Sequence, residues 1–235
     1  MKRFNLLALA VAMSVTMKPI DATFGNLKLH LGCNSIDFGP GWIHVDAADH
    51  PHVHKLQKDI SRLDHFANNS ASIIYASHVF EYFDRAQAQD VLRDWRRVLR
   101  PRGTLRLAVP DFGAVARLYV EEGNGVDLDT FVGMLFGKWV LGEGGERGSA
   151  GAIGPASDVR GRAIYHRTAY DRPSLMKVLE ESGFTNAKPW NWQLTEHGRV
   201  DDYSQAYWPH SKYTVAVGRF APHSHALSLC CTCLV

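Results

Sequence analysis

The chain has 235 residues, 46% of them hydrophobic and 21% charged, with a formal net charge of +2. That length suits one α/β domain with a full core rather than two, and the composition excludes disordered, collagen-like and disulfide-framework proteins. A charge so close to neutral gives no electrostatic footprint for nucleic acid, so a small molecule is the expected partner.

At the N-terminus, Lys2 and Arg3 precede an apolar run from Leu6 to Val15. This has the outline of a secretory signal but is too short for a stable membrane span, and no small-x-small cleavage site follows it. Of the four cysteines, Cys230, Cys231 and Cys233 crowd into the last six residues and Cys33 stands alone, which suits a reducing compartment. Residues 1–26 are therefore read as an N-terminal extension or targeting segment. The expected location is the cytoplasm, with secretion or organelle targeting through residues 1–16 as the alternative.

From Leu27 onward, short apolar runs alternate with helical patterns, the rhythm of an open parallel sheet. Strands are expected at Leu27–Leu31, at Trp42–Val45, just before Asp59, and at Ser72–Ser77. A helix over Ala86–Leu99 follows from Ala88, Val91, Leu92, Trp95, Val98 and Leu99 at helical spacing, with Asp84 and Gln87 as a capping box and Pro101 and Gly103 as its stop. Thr104–Val109 is the fifth strand. Residues 123–162 hold 11 glycines in 40 residues around an apolar helix at Leu128–Val140, a candidate substrate lid. A second helix spans Pro173–Ser182 with Gly183 past its end. Strand-like stretches follow at Ala187–Leu194 and Tyr213–Phe220. The main domain is thus drawn as 27–220, and 221–235 as a C-terminal tail.

The chemistry concentrates at the strand ends. Leu29-His-Leu-Gly-Cys-Asn-Ser35 is a strand running into a small-residue turn, where Gly32 lets backbone N–H groups approach a ligand. Asp46, closing the next strand, is placed to accept hydrogen bonds from ribose hydroxyls. Asp59-Ile60 and Tyr75-Ala-Ser-His-Val-Phe-Glu81 supply the next two ends, and open α/β sheets bind ligands along that edge. A nicotinamide-dependent oxidoreductase shares the ribose aspartate but calls for a fuller glycine fingerprint than Leu31–Ser35.

Leu29–Tyr119 resembles the core of class I methyltransferases, in a short methyltransferase type 11-like branch. The stretches that carry the resemblance are Leu31-Gly-Cys-Asn, Gly41-Trp-Ile-His-Val-Asp46, Tyr75-Ala-Ser-His-Val-Phe-Glu81, Trp95-Arg-Arg-Val-Leu-Arg-Pro101 and Val109-Pro-Asp-Phe112. It continues through Tyr165-His-Arg167, Leu179-Glu-Glu-Ser-Gly-Phe184 and Asp201-Asp-Tyr-Ser-Gln-Ala-Tyr207. The resemblance implies an α/β, Rossmann-like, seven-stranded and mostly parallel sheet with a reversed last strand, helices on both faces, and S-adenosyl-L-methionine as cofactor. It also implies that Gly32, Cys33 and Asn34 line the methionine part, Asp46 the ribose, Asp59 and Ile60 the adenine, and that His78 sits near the sulfonium. Two departures stand out. Asn34 replaces the family's second glycine, and the residues after Arg219 replace its usual ending.

The implied reaction is in-line methyl transfer to a small-molecule or sugar-type acceptor. Positioning and desolvation supply much of such catalysis, and a base helps a hydroxyl acceptor. His78, Asp111, His166, Asp201 and Asp202 are candidate bases, and Tyr207 a candidate for positioning the acceptor. A non-catalytic S-adenosylmethionine-binding partner module is the alternative. No metal is expected: His50, His52 and His54 flank Pro51 as a solvated loop does, and the terminal histidines and cysteines match no zinc spacing. Arg93, Arg96, Arg97 and Arg100 read as the solvated face of their helix, and Trp190 and Trp192 as core positions on a strand.

Overall fold

The computed structural model of the chain describes residues 25–122, 135–140, 163–202, 204, 207–208, 225–226 and 228–235. Apolar runs rich in Leu, Ile and Val become the inner strands: β1 (Leu27–Leu31), β2 (Ile43–Asp46), β3 (Lys55–Leu56), β4 (Ala71–Ser77) and β5 (Leu99–Pro110). These five pair in parallel, as strands buried on both faces do. Helix α1 (Arg85–Val98) starts at a capping box in which the Asp84 carboxylate accepts the Gln87 N–H at 2.8 Å. After α2 (Phe112–Glu122) come β6 (Lys138–Val140) and β7 (Ala163–Tyr165), paired antiparallel. Helix α3 (Arg172–Glu181) has its own capping box, between Asp171 and Ser174, and leads to β8 (Thr185–Pro189). Two-residue strands β9 (Tyr207–Trp208) and β10 (His225–Ala226) pair apart from the main sheet, and β11 (Ser228–Leu234) ends the chain.

The main sheet runs β3-β2-β1-β4-β5-β11-β8, with β11 antiparallel to both neighbours. This is the expected seven-stranded, mostly parallel sheet with one reversed strand, but the reversed strand comes from residues expected to be a tail. Ser228–Leu234 inserts between β5 and β8, because the facing edges of those strands need a partner for their backbone groups. Cys233 is buried there, its thiol 3.8 Å from the Leu105 carbonyl oxygen, so this cysteine belongs to the core. The strand expected at 213–220 lies outside the described residues, as do residues 1–24 and most of the glycine-rich segment. Of the helix expected at 128–140, Lys138–Val140 is instead strand, since it pairs with Ala163–Tyr165. The strand expected at 187–194 stops at Pro189, and Trp192 opens a 3-10 turn.

Alternation along the strands sends Leu29, Leu31, Val45, Ile74, Leu105 and Leu107 to one face, against Trp95 and Leu92 of α1 and Leu175 and Leu179 of α3. The Trp95 indole N–H donates to the Ile60 carbonyl at 2.8 Å, which ties α1 to the loop after β3. The opposite face carries His30, His44, Ile73 and Tyr75, packed by Phe38 and Trp42 from the β1–β2 loop and by Trp190, His197 and Val200. No helix among the described residues is long and apolar enough to cross a membrane.

Candidate active site

The carboxyl ends of β1, β2 and β4 meet at one edge. Gly32 takes φ +65°, and a Cβ there would overlap the Val79 Cγ2 methyl, so only glycine lets the first turn pack against the end of β4. Asn34 holds φ +48°, the left-handed conformation that asparagine tolerates better than most residues. Its backbone N–H donates to Asp46 Oδ2 at 2.7 Å, while Asp46 Oδ1 accepts the Ala48 N–H at 2.8 Å. Both oxygens of this half-buried carboxylate are therefore oriented by the chain itself, with lone pairs left for a further donor. Cys33 is fully buried under the turn rather than open to the edge, and burial, with Asp46 beside it, pushes its thiol well above the ordinary range. Asp59 lies past β3: its carboxylate accepts the Ser61 N–H at 2.9 Å, and Ile60 is held by the Trp95 indole.

At the end of β4, His78 takes φ +52° and its backbone N–H donates to Ala108 at 2.8 Å. Its Nδ1 lies 3.4 Å from Oε1 of Glu81, in the 3-10 turn Phe80–Tyr82. His166, 85 residues further along, reaches the same carboxylate, with Nε2 3.7 Å from Oε1. It is brought there by backbone bonds: the N–H groups of Arg167 and Thr168 both donate to the Glu81 carbonyl, at 2.8 and 3.3 Å. Arg85 braces the same segment through Thr168 and Ala169. The His166 ring packs edge-on against Tyr82, and its Nδ1 lies 3.2 Å from the Leu135 carbonyl oxygen. Burial lowers the proton affinity of His166, while Glu81 and the Leu135 carbonyl oppose that shift. Glu81 itself was not among the expected site residues. It is 1% exposed, and neither carboxylate oxygen accepts a hydrogen bond. An acidic residue three positions after a strand-end histidine, inside the apolar run Val79–Phe83, is the sequence signal that marks it. Ser77 Oγ, also at this strand end, is buried without a hydrogen-bond partner.

The other expected bases sit elsewhere or have local work. Asp111 Oδ1 accepts the Gly113 N–H at 2.9 Å and caps α2. Asp202 is buried on the loop-covered face, where it accepts from Tyr75 Oη at 2.7 Å and from the Ser204 N–H at 2.9 Å, and lies 2.8 Å from His197 Nε2. Among the described residues, Asp202 is thus engaged by Tyr75, His197 and Ser204. Tyr207 lies in β9, outside the main sheet. Arg97 is not simply solvated: it pairs with Asp94 and donates to the Phe66 carbonyl.

A sheet of this order with one reversed strand, carrying a glycine turn after β1 and an aspartate after β2, is the Rossmann-like architecture expected from the sequence. Residues 26–107 match the family model described as a methyltransferase domain. No curated protein matches the chain. Among solved structures it is similar to an S-adenosylmethionine-dependent methyltransferase of Thermotoga maritima, at 10% identity over 88% of this chain and 81% of that one, with a TM-score of 0.48. Another, from Archaeoglobus fulgidus, shares 10% identity over 90% and 88% of the two chains, with a TM-score of 0.47. The Burkholderia thailandensis 1,6-didemethyltoxoflavin-N1-methyltransferase shares 12% identity over 89% and 72%, with a TM-score of 0.42.

Proposed function

We propose that the protein methylates a small molecule or sugar-type compound, with the acceptor bound at the edge formed by the ends of β1, β2 and β4. The observation that carries this reading is Asp46, whose two oxygens are fixed by the Asn34 and Ala48 amides at the position a ribose would approach. Asp46 accepts the ribose hydroxyls, the Gly32–Asn34 turn holds the methionine part with Cys33 supporting it from beneath, and Asp59 with Ile60 borders the adenine. Held by these residues, S-adenosylmethionine would supply an activated methyl group for in-line attack by the acceptor. The residues around it orient the acceptor and exclude water, which suffices for much of the rate. His78 stands at this edge as base and His166 behind it.

Calorimetric titration of the full chain with S-adenosylhomocysteine tests the reading. Micromolar binding, about −8 kcal/mol, is expected, and Asp46→Ala is expected to weaken it by about 1–3 kcal/mol. Unchanged affinity in a folded variant removes the ribose assignment.

A further inference from the structure

We propose that Gln57 is a positioning residue for the cofactor: its carboxamide turns the peptide between Asp59 and Ile60 so that the Ile60 N–H faces the purine, and the chain thereby selects a 6-amino purine over a 6-oxo one. This rests on the methyl-transfer reading above, with Asp59 and Ile60 at the adenine, and deepens it.

Gln57 is the first residue past β3, at the carboxyl edge shared with Gly32 and Asp46. Its backbone N–H donates to the Asp46 carbonyl at 2.7 Å, so the loop that follows starts in register with the residue assigned to the ribose. Its side chain then folds over that loop. Nε2 donates to the Asp59 carbonyl and to the Arg62 carbonyl, each at 2.6 Å, which spends both of its hydrogens. Two carbonyl partners also fix which way round the amide lies, since Oε1 could donate to neither. Oε1 is left buried with no hydrogen-bond partner. An unpaired buried acceptor is unfavourable, and an apolar side chain of the same length would avoid it, so the two bonds donated by Nε2 are what the glutamine contributes here.

Three carbonyls of this loop are held by side chains: Asp59 and Arg62 by Gln57, and Ile60 by the Trp95 indole at 2.8 Å. In a trans peptide the N–H points opposite to the C=O, so each pinned carbonyl also aims the N–H of the next residue. Two of those three N–H groups are used within the protein: Ser61 donates to Asp59 Oδ1 at 2.9 Å and Leu63 to Asp94 Oδ2 at 2.6 Å. The third, on Ile60, meets no acceptor among the described residues. Ile60 is half-buried and packs against the core, so this donor is held in one direction and partly shielded from water. N1 of a 6-amino purine carries a lone pair that such an N–H satisfies. N1 of a 6-oxo purine carries a hydrogen, and two donors facing each other are both left unpaired. The direction of one N–H thus discriminates between the two bases, and the Gln57 carboxamide sets that direction.

The test uses the full chain and Gln57→Met, which keeps the length of the side chain and removes both donors. Affinities for S-adenosylhomocysteine and S-inosylhomocysteine are measured by calorimetric titration, and the Ile60 amide of the ¹⁵N-labelled parent is followed by NMR as each is added, with Ile60→Val for assignment. The parent is expected to favour S-adenosylhomocysteine by at least about tenfold; Gln57→Met is expected to weaken it about tenfold, the scale of one hydrogen bond, with S-inosylhomocysteine within about twofold of the parent. The Ile60 amide proton is expected to move downfield with the adenine compound and not with the hypoxanthine one. A glutamine that only braces the fold would weaken both ligands alike or neither, and either result overturns the proposal. So does an Ile60 amide that responds equally to both, a readout that stands even where Gln57→Met does not fold. Failure of the parent to bind S-adenosylhomocysteine overturns the methyl-transfer reading and the proposal with it, whereas binding with no preference between the two purines overturns the proposal alone.

Discussion

Toward α1 and α3 the sheet presents aliphatic side chains closed over by Trp95 and leucines, whereas toward the 36–42 and 190–202 loops it presents histidines and aromatic rings. Phe38 stacks on both His30 and His197, 4.0 Å from each, and His44 Nε2 accepts the Phe38 N–H at 3.0 Å. The first face is held by apolar area removed from water, which has no charge state to lose. The second depends on imidazoles staying neutral. Burial, with His44, His197 and His52 nearby, pushes His30 well below its ordinary value, and burial pushes His44 down to about 4, opposed by Asp37. One strand thus serves two layers of different physics, alternating residue by residue: Leu29 and Leu31 on one side, His30 on the other.

The sharpest way to break the first layer is Trp95→Ala, which empties a fully buried site and removes the bond to Ile60. A loss of about 3–5 kcal/mol is expected in denaturant unfolding, equally at pH 7.5 and pH 5.5. The second layer gives a pH-dependent result. Above about 6.5 His30 and His44 are neutral in both the folded and unfolded chain and their contribution is complete. Below that the unfolded chain takes up protons that the folded layer refuses, so stability falls until His44 protonates near 4. The loss from His44 is on the order of 3 kcal/mol over that window, and His44→Gln is expected to flatten the dependence of melting temperature on pH there. An unchanged slope would show that the layer tolerates charged imidazole. Tyr75→Phe is the mildest probe: it deletes one bond to Asp202 while keeping the ring packing, for a cost of about 1 kcal/mol at pH 7.5.

Much of the first layer was legible in the sequence, because helical spacing in Ala88–Leu99 and the Asp84–Gln87 cap are local patterns that fix which face is buried. The glycine turn and Asp46 were legible for the same reason: strand ends announce themselves through small and acidic residues. The second layer was not. Its members His197 and Asp202, which reach Tyr75 from the far end of the chain, lie on a loop with no periodic signal. Asp202 is a candidate base by sequence, and only the folded chain shows that it meets Tyr75, His197 and Ser204.

Sequence alone determined the parallel strands, the capped helices and the residues that end the strands, since each is a matter of local propensity and spacing within about a dozen residues. Tertiary structure decided which chain end supplies the reversed strand and which distant histidine meets Glu81. Cysteine-rich Ser228–Leu234 becomes a strand because two sheet edges need its backbone groups. His166 becomes part of the site because two amides after it bind the Glu81 carbonyl. Contacts of that kind depend on unsatisfied groups far apart in the chain, and only the folded arrangement brings them within reach of one another.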